Sequence, residues 1–505
     1  MRIRTGLEGA AGGAVQARHV ALLAAVLGLS VADTATVGAI AGPLERALSI
    51  GNTQIGLLVT ASTVVAAVAT LPLGALADRV DRVRLLTAAI LTWSAVLLVC
   101  GAATSYPVLL GARLVLGVLV ATAGPVVASL SGDLFPAAQR GRIYGLILTG
   151  ELLGLGLGFV VGGEIAAAFS WRWAFWVLAA PGLLVAAAVR TGLAEPRRQA
   201  RDRDRDRHRD RDRDRDLPED DDAPAAGTPE PMTASLAAHH VRPHPGRVIT
   251  DDPAQWSLWR AAGYLVTSRS VLALVVASGL GYAFLAGFRT FGVLYVQDRF
   301  GLGQASATLL VAVIGLGALL GVQLTGRLAD QMSRAGNVAA RPLLAAAAFG
   351  VAAVAVVPAL LTPSAVLCLG LLALTAAALG GANPPLDAAR LDLVHPRLWG
   401  RAEAVRTVLR QSLEAGAPLL VGYLSVHLGA RTSTSSAVSG VGGTTGSGGS
   451  DTALGHTFLV LAITLPVAAA LLLRTARRTY PRDVATALAT PPTRRTQQTQ
   501  EEHHP

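Results

Sequence analysis

The sequence predicts an all-α membrane protein of twelve transmembrane helices, arranged as two pseudo-symmetric bundles of six. Three observations predict it: apolar runs long enough to cross a bilayer, arginines divided unequally between alternate loops, and a motif that recurs at the same place in each half. Of 505 residues, 52% are hydrophobic and 15% charged, with a mean hydropathy of +0.49. An ordinary soluble chain carries about 25% charged residues. The charges crowd into short stretches, and runs of about 18 or more apolar residues are long enough to span a membrane. A soluble enzyme, a secreted disulfide scaffold and a disordered chain are excluded.

The first bundle, residues 1–193, holds spans at 19–40, 54–76, 85–103, 107–131, 143–168 and 173–193. The first of these is too long for a signal-peptide core and has no A-x-A cleavage site, so it is a retained helix. Residues 194–270 form a linker. Its run Arg201–Asp216 carries eight arginines, seven aspartates and His208 in near alternation, which can bury nothing and predicts a solvated low-complexity segment. Trp256 to Arg260 read as a short helix on the membrane surface. The second bundle, 271–473, holds spans at 271–297, 306–328, 342–361, 364–386, 403–427 and 455–473. A Gly/Ser/Thr-rich insert, 433–450, joins the last two, and a tail follows from 474 to 505. Cys100 and Cys368 both fall in apolar runs and make neither a disulfide framework nor a metal site.

Every basic residue is arginine. Leaving out the linker, one set of alternate loops and termini holds seventeen arginines, from Arg2 to Arg478. The other holds four, Arg46, Arg172, Arg299 and Arg431. Positive residues stay on the cytoplasmic side, so both termini and the linker are expected there. Trp171, Trp173 and Trp176 then fall at the external interface, where aromatic residues belong. No basic patch with aromatics lies on a soluble domain, so nucleic acid is not an expected partner.

Gly74-Ala75-Leu76-Ala77-Asp78-Arg79 closes the second span, and Gly326-Arg327-Leu328-Ala329-Asp330-Gln331 closes the eighth. Arg82 and Arg334 follow the two copies. Gly141-Arg142 and Gly400-Arg401 begin the fifth and eleventh spans in the same way. Two six-helix halves related by an axis along the membrane normal are a transporter architecture that rocks about a central site. The stretch Gly74–Arg84 resembles the cytoplasmic signature of the major facilitator superfamily, and the resemblance extends over the membrane part of the chain. It implies a latch in which Asp78, Arg79, Arg82, Asp330 and Arg334 serve gating. The first half is similar to spinster-type transporters of lysophospholipids. The matching pieces are Asp33, Trp93-Ser94, Ala112-Arg113, Asp133-Leu134-Phe135-Pro136, Arg140-Gly141, Trp171 to Phe175 and Gly154-x3-Gly158-Phe159-x2-Gly162-Gly163. Thr34 and Val120 stand where that family has an arginine and a glutamate.

An ionisable side chain at bilayer depth marks a functional site by default. At about 1.5 Å per residue, Asp33, Arg113 and Arg289 lie at similar depth on the first, fourth and seventh helices. They are the expected substrate and coupling residues, together with Glu151. An ion pair that only ties the first helix to the fourth is the alternative reading. Glu151 and Arg410 each stand ten residues past a repeated glycine, so they occupy equivalent positions with opposite sign. Arg410 and Glu414 are the expected partners in an inner gate. Asn383-Pro384-Pro385 is expected to break the tenth helix.

The resemblance implies a monomeric secondary transporter in a bacterial cytoplasmic membrane, proton-coupled and working by alternating access among membrane lipids. Two cationic residues in an apolar cavity point to an amphipathic anion or zwitterion such as a lysolipid, with a multidrug/proton antiporter as the alternative. A transporter-like sensor or membrane enzyme is a third class, against which the doubled signature argues. No nucleophile–base arrangement is legible, so an enzyme is not expected. Neither metal nor cofactor is called for; the string 154–158 contains G-x-G but lies inside an apolar helix with no strand before it, which makes it a packing motif.

Overall fold

The computed structural model describes residues 14–77, 80–135, 137–193, 258–394, 398–438 and 453–489, and several residues between 241 and 256. Among them the regular structure is helical throughout. In a bilayer the backbone must satisfy its own hydrogen bonds, and helices do so within one segment. The helices of the first half are α1 (Ala14–Ala39), α2 (Ala41–Leu48), α3 (Asn52–Ala77), α4 (Arg82–Ala102), α5 (Tyr106–Val120), α6 (Ala123–Leu134), α7 (Ala137–Ala168) and α8 (Trp171–Gly192). The second half continues with α9 (Leu258–Thr267), α10 (Arg269–Phe300), α11 (Gln304–Arg334), α12 (Ala340–Leu361) and α13 (Ala365–Leu393). It ends with α14 (Trp399–Ala415), α15 (Ala417–Val438), α16 (Ala453–Ala462), α17 (Thr464–Arg478) and α18 (Tyr480–Leu488).

Eleven segments among the described residues are long and apolar enough to cross a membrane. The expected eleventh span is the pair α14 and α15, whose first member carries Arg406, Arg410 and Glu414 and is too polar to count by hydropathy. With it the architecture has the expected twelve crossings. Where a surface helix is expected at 256–260, the helix α9 begins at Leu258, and Trp256, which precedes it, packs edge-on against Tyr264 of α9 at 5.4 Å. The Arg201–Asp216 run lies outside the described residues, as does the part of the Gly/Ser/Thr insert from 439 to 450.

Prolines set the interruptions, though not where the sequence placed one. The chain steps at Ala121–Thr122, at Gly416 and at Ile463. Pro125, Pro418 and Pro466 follow within the first turn of the next helix. A proline there has no hydrogen bond to lose, but its ring clashes with a carbonyl four residues back, so the preceding helix ends. The break expected at Asn383–Pro385 does not occur, because α13 runs through both prolines. Pro385 leaves the Gly381 carbonyl without its intrahelical donor, and the Thr325 hydroxyl of α11 donates to that oxygen at 2.6 Å.

The chain forms two compact units. The first takes in 1–225, 289–312 and 418–439, and the second takes in 226–288, 313–417 and 440–505. Packing thus assigns the last part of α10, the first part of α11 and α15 from Pro418 onward to the first unit. These are the parts near the arginine-poor turns.

In the first unit α1 and α7 meet backbone to backbone. Ala24, Gly28, Ala32 and Thr36 of α1 face Gly150, Gly154, Gly158 and Gly162 of α7, each pair 126 residues apart in sequence. A β-carbon on Gly28 would stand 2.6 Å from the Gly150 oxygen, and one on Gly154 would collide with the Gly28 carbonyl. At the last rung, the Thr36 hydroxyl lies 2.8 Å from Ala32 O and 3.3 Å from Gly158 O. The second unit repeats the device with other helices. Gly317, Gly321 and Thr325 of α11 face Ala373, Ala377 and Gly381 of α13. Small residues at four-residue spacing let helix axes approach closely in lipid.

The chain does not leave the second unit at 474. Tyr480 is fully buried, and its hydroxyl donates to Asp392 at 2.7 Å. Asp392 also pairs with Arg341. Burial and the Asp392 charge push the Tyr480 phenol well above its ordinary range, which keeps it a donor.

Gly154→Ala should force α1 and α7 apart, at a cost of about 1–3 kcal/mol. Gly156→Ala places its β-carbon in open space and should cost nothing. Thermal unfolding of the two variants in detergent checks the contrast.

Candidate functional site

The structure brings two of the expected site residues together. Arg113 of α5 donates from Nη1 to Asp33 Oδ1 of α1 at 2.6 Å, and both side chains are 2% exposed. Asp33 lies on α1 between Ala32 and Thr36, which face α7, and its carboxylate reaches Arg113 of α5. Burying two charges is costly unless they pair with good geometry. Arg113 Nε remains buried without a hydrogen-bond partner, so the guanidinium keeps donor capacity.

Arg289 of α10 belongs to the same unit but makes no ion pair with Asp33 or Arg113 among the described residues. It is partly buried, and its Nε has no hydrogen-bond partner. The backbone here is in closest contact with α1: a β-carbon on Gly38 would collide with the Arg289 carbonyl. Glu151 is half-buried on α7, next to Gly150 of the seam.

The gating residues separate into three groups. Asp78 and Arg79 lie outside the described residues, and the side chains of Asp330 and Arg334 are likewise not described. Arg82 is fully buried and donates from Nη1 to Ser129 Oγ at 2.7 Å, tying α4 to α6. Asp81 caps α4 by accepting from the Arg84 N–H at 2.9 Å. Arg410 pairs with Glu414 one turn along α14 at 2.9 Å, and its guanidinium lies 4.2 Å from the centre of the Tyr282 ring. Nearby, Arg406 pairs with Asp387 of α13 at 2.9 Å.

Sequence reasoning missed a second site feature, a cluster of close contacts at the arginine-poor end of the first unit. Gly56 of α3 abuts the Pro418 carbonyl of α15, and Gly422 abuts the Asn52 carbonyl. Thr60 Oγ1 accepts from the Leu419 N–H at 3.1 Å, and Asn52 Nδ2 donates to Ser425 Oγ at 3.0 Å. Gly163 of α7 abuts the side chain of Thr308 of α11. Gln304 Nε2 donates to the Ala39 carbonyl, and Gln297 Nε2 donates to Gln304 Oε1 at 2.9 Å. Helices α1, α3 and α7 are thereby closed against α10, α15 and α11. The signal available in the sequence was a set of single glycines and neutral polar residues, which look alike in a loop and in a contact.

The model of the Major Facilitator Superfamily matches residues 22–418, and the chain belongs to that superfamily. It is similar to the uncharacterized transporter YgaY of Escherichia coli, with 27% identity over 180 residues, 36% of this chain and 45% of that one. The sphingosine-1-phosphate transporter SPNS2 of Danio rerio is 29% identical over 178 residues, 34% of this chain and 35% of that one. The chain thus spans less than half the length of these curated relatives. Among solved structures, a bacterial homolog of the human lysosomal transporter Spinster, in an inward-facing and occupied conformation, superposes with a TM-score of 0.68. The match has 18% identity over 92% of this chain and 97% of that one, a likeness of fold.

Removing one partner of a buried pair leaves the other charge unpaired, which costs about 3–5 kcal/mol, whereas replacing both by apolar residues is often close to neutral. Arg113→Met should therefore lower thermal stability more than the double change Asp33→Leu with Arg113→Met. Melting temperatures of the two variants in detergent check the order.

Proposed function

We propose that the protein is a secondary active transporter that moves an amphipathic anion or zwitterion, of the lysolipid class, by alternating access coupled to protons. The observation that carries this reading is the sealed Asp33–Arg113 pair. A carboxylate held by an arginine at bilayer depth can exchange that partner for a proton, and the released guanidinium can then meet an anionic headgroup. Arg289, partly buried and with a spare donor, supplies a second positive contact. Likeness to a transporter of sphingosine-1-phosphate, a phosphorylated single-chain lipid, supports the substrate class.

The orientation proposed follows the arginine asymmetry: both termini and residues 194–270 are cytoplasmic, and the closed, arginine-poor end is external. The six-helix halves 1–193 and 271–473 are the rocking bodies, in a bacterial cytoplasmic membrane, with the protein acting as a monomer. Helices α10, α11 and α15 change partners at their external ends when the outside opens.

Uptake of a labelled lysolipid into proteoliposomes, with and without an inward proton gradient, tests the function. Gradient-stimulated uptake is expected in the wild type, and Asp33→Asn should lose the stimulation while keeping counterflow. Uptake of cationic dyes in place of lysolipids would favour a drug/proton antiporter.

Glu151 and Arg410 are proposed to pair when the cytoplasmic side closes, with Arg410 leaving Glu414 to do so. A pair made in one state only biases the equilibrium by its differential energy, about 1–3 kcal/mol for couplings of this kind. Glu151→Arg and Arg410→Glu should each raise cytoplasmic cysteine accessibility, and the double swap should restore protection. Additive effects would sink the gate.

A further inference from the structure

At the arginine-poor end of the first unit, the short helix α2 sits between α1 and α3 and leans on the end of α10. Gly42 is the point of closest approach: a β-carbon there would lie 3.1 Å from Gln297 Oε1 and 3.4 Å from Leu294 Cδ1. Glu45 follows Gly42 by one helical turn, Asp298 is the neighbour of Gln297, and the Asp298 charge is felt at the Glu45 carboxyl. Glu45 is half-buried, whereas Asp298 is exposed to solvent.

Two arginines also lie at the junction. Arg46 on α2 is exposed, 3.7 Å from the Gly42 β-position. Arg299, beside Asp298, lies over the rings of Tyr295 and Phe300 at 5.9 and 5.8 Å. The adjoining ends of α1, α3 and α11 contribute the neutral residues Thr36, Asn52, Thr53, Gln54, Gln304 and Thr308.

We propose that this junction is a proton-operated latch on the closed end: with Glu45 protonated, α2 stays seated on α10, and loss of the proton sets two carboxylates against each other and releases the contact. Burial, with the Asp298 charge adding to it, raises the Glu45 carboxyl from its ordinary 4.5 to about 7, while Arg46 opposes the rise. The sign follows by linkage. An acid whose pKa is higher in the closed state stabilises closure when protonated. That stabilisation is full below the open-state value and is lost as pH rises through the closed-state value. If release returns Glu45 to its ordinary value, the closed-to-open ratio falls about tenfold per pH unit between the two values and levels off above about 7. The latch rests on the alternating-access reading but not on the substrate.

Spin labels at Ser105 and Gly303, in the full chain with Cys100 and Cys368 replaced by alanine, report the separation across this end. In nanodiscs both faces see one pH, so the measurement is independent of orientation. A short separation should dominate at pH 5, and a longer population should grow towards pH 8. Glu45→Gln should hold the short separation at every pH, and Asp298→Asn should shrink the longer population at pH 8, because less repulsion opposes the charged Glu45 in the closed state. Distance distributions that do not change with pH, or a Glu45→Gln variant that titrates as the wild type does, would overturn the latch. A pH-dependent distance in a protein that moves no lysolipid would leave the latch standing and defeat the substrate reading instead.

Discussion

Helices dissolved in hydrocarbon gain little by hiding apolar surface from lipid, because a leucine side chain meets much the same surroundings in either place. What holds them together is close packing and the few polar contacts that packing allows. The α1–α7 seam meets that constraint with glycine at four successive rungs of α7. The α11–α13 seam meets it with Gly317 and Gly321 on one helix and Ala373, Ala377 and Gly381 on the other. Each seam ends on a threonine whose hydroxyl reaches a carbonyl of the facing helix, Thr36 to Gly158 and Thr325 to Gly381. The second of these also explains how α13 tolerates two consecutive prolines, since the carbonyl that Pro385 leaves unsatisfied has a donor on the partner helix.

Polar chemistry is then placed where the seams leave room. Asp33 lies on α1 between residues that face α7, yet points to Arg113 of α5. The two form an ion pair from which solvent is excluded, and a buried pair of this kind strongly resists the loss of either member. Such a pair can serve as a switch only if a proton or an anion compensates the charge left behind. The same reasoning applies in the second unit, where Arg410 is shared between Glu414 and the face of Tyr282.

The closed end of the first unit is built differently. Its contacts are glycines against carbonyls, reinforced by neutral hydrogen bonds from Asn52, Thr53 and Gln304. Contacts of this type have little desolvation penalty to overcome when they form. They are also intolerant of any side chain, so their geometry is all or none. Glu45 and Asp298 are the carboxylates at this junction, which is why charge can bias a contact otherwise governed by shape.

The sequence by itself determined the number and rough limits of the spans, because bilayer thickness imposes a length and a hydropathy that can be read residue by residue. It determined that the glycine string 154–158 is a helix-packing motif, since it lies inside an apolar segment with no strand before it. It also marked Asp33 and Arg113, because charge at that depth is expensive anywhere. Tertiary structure decided the partners. That Asp33 takes Arg113 and not Arg289, that Arg410 takes Glu414, that Tyr480 is buried against Asp392, and that Pro384–Pro385 leaves α13 whole all depend on which helix face lies opposite. Periodicity fixes the face a residue occupies on its own helix, but the neighbour across the gap comes from packing between segments far apart in the chain, and no local pattern encodes it.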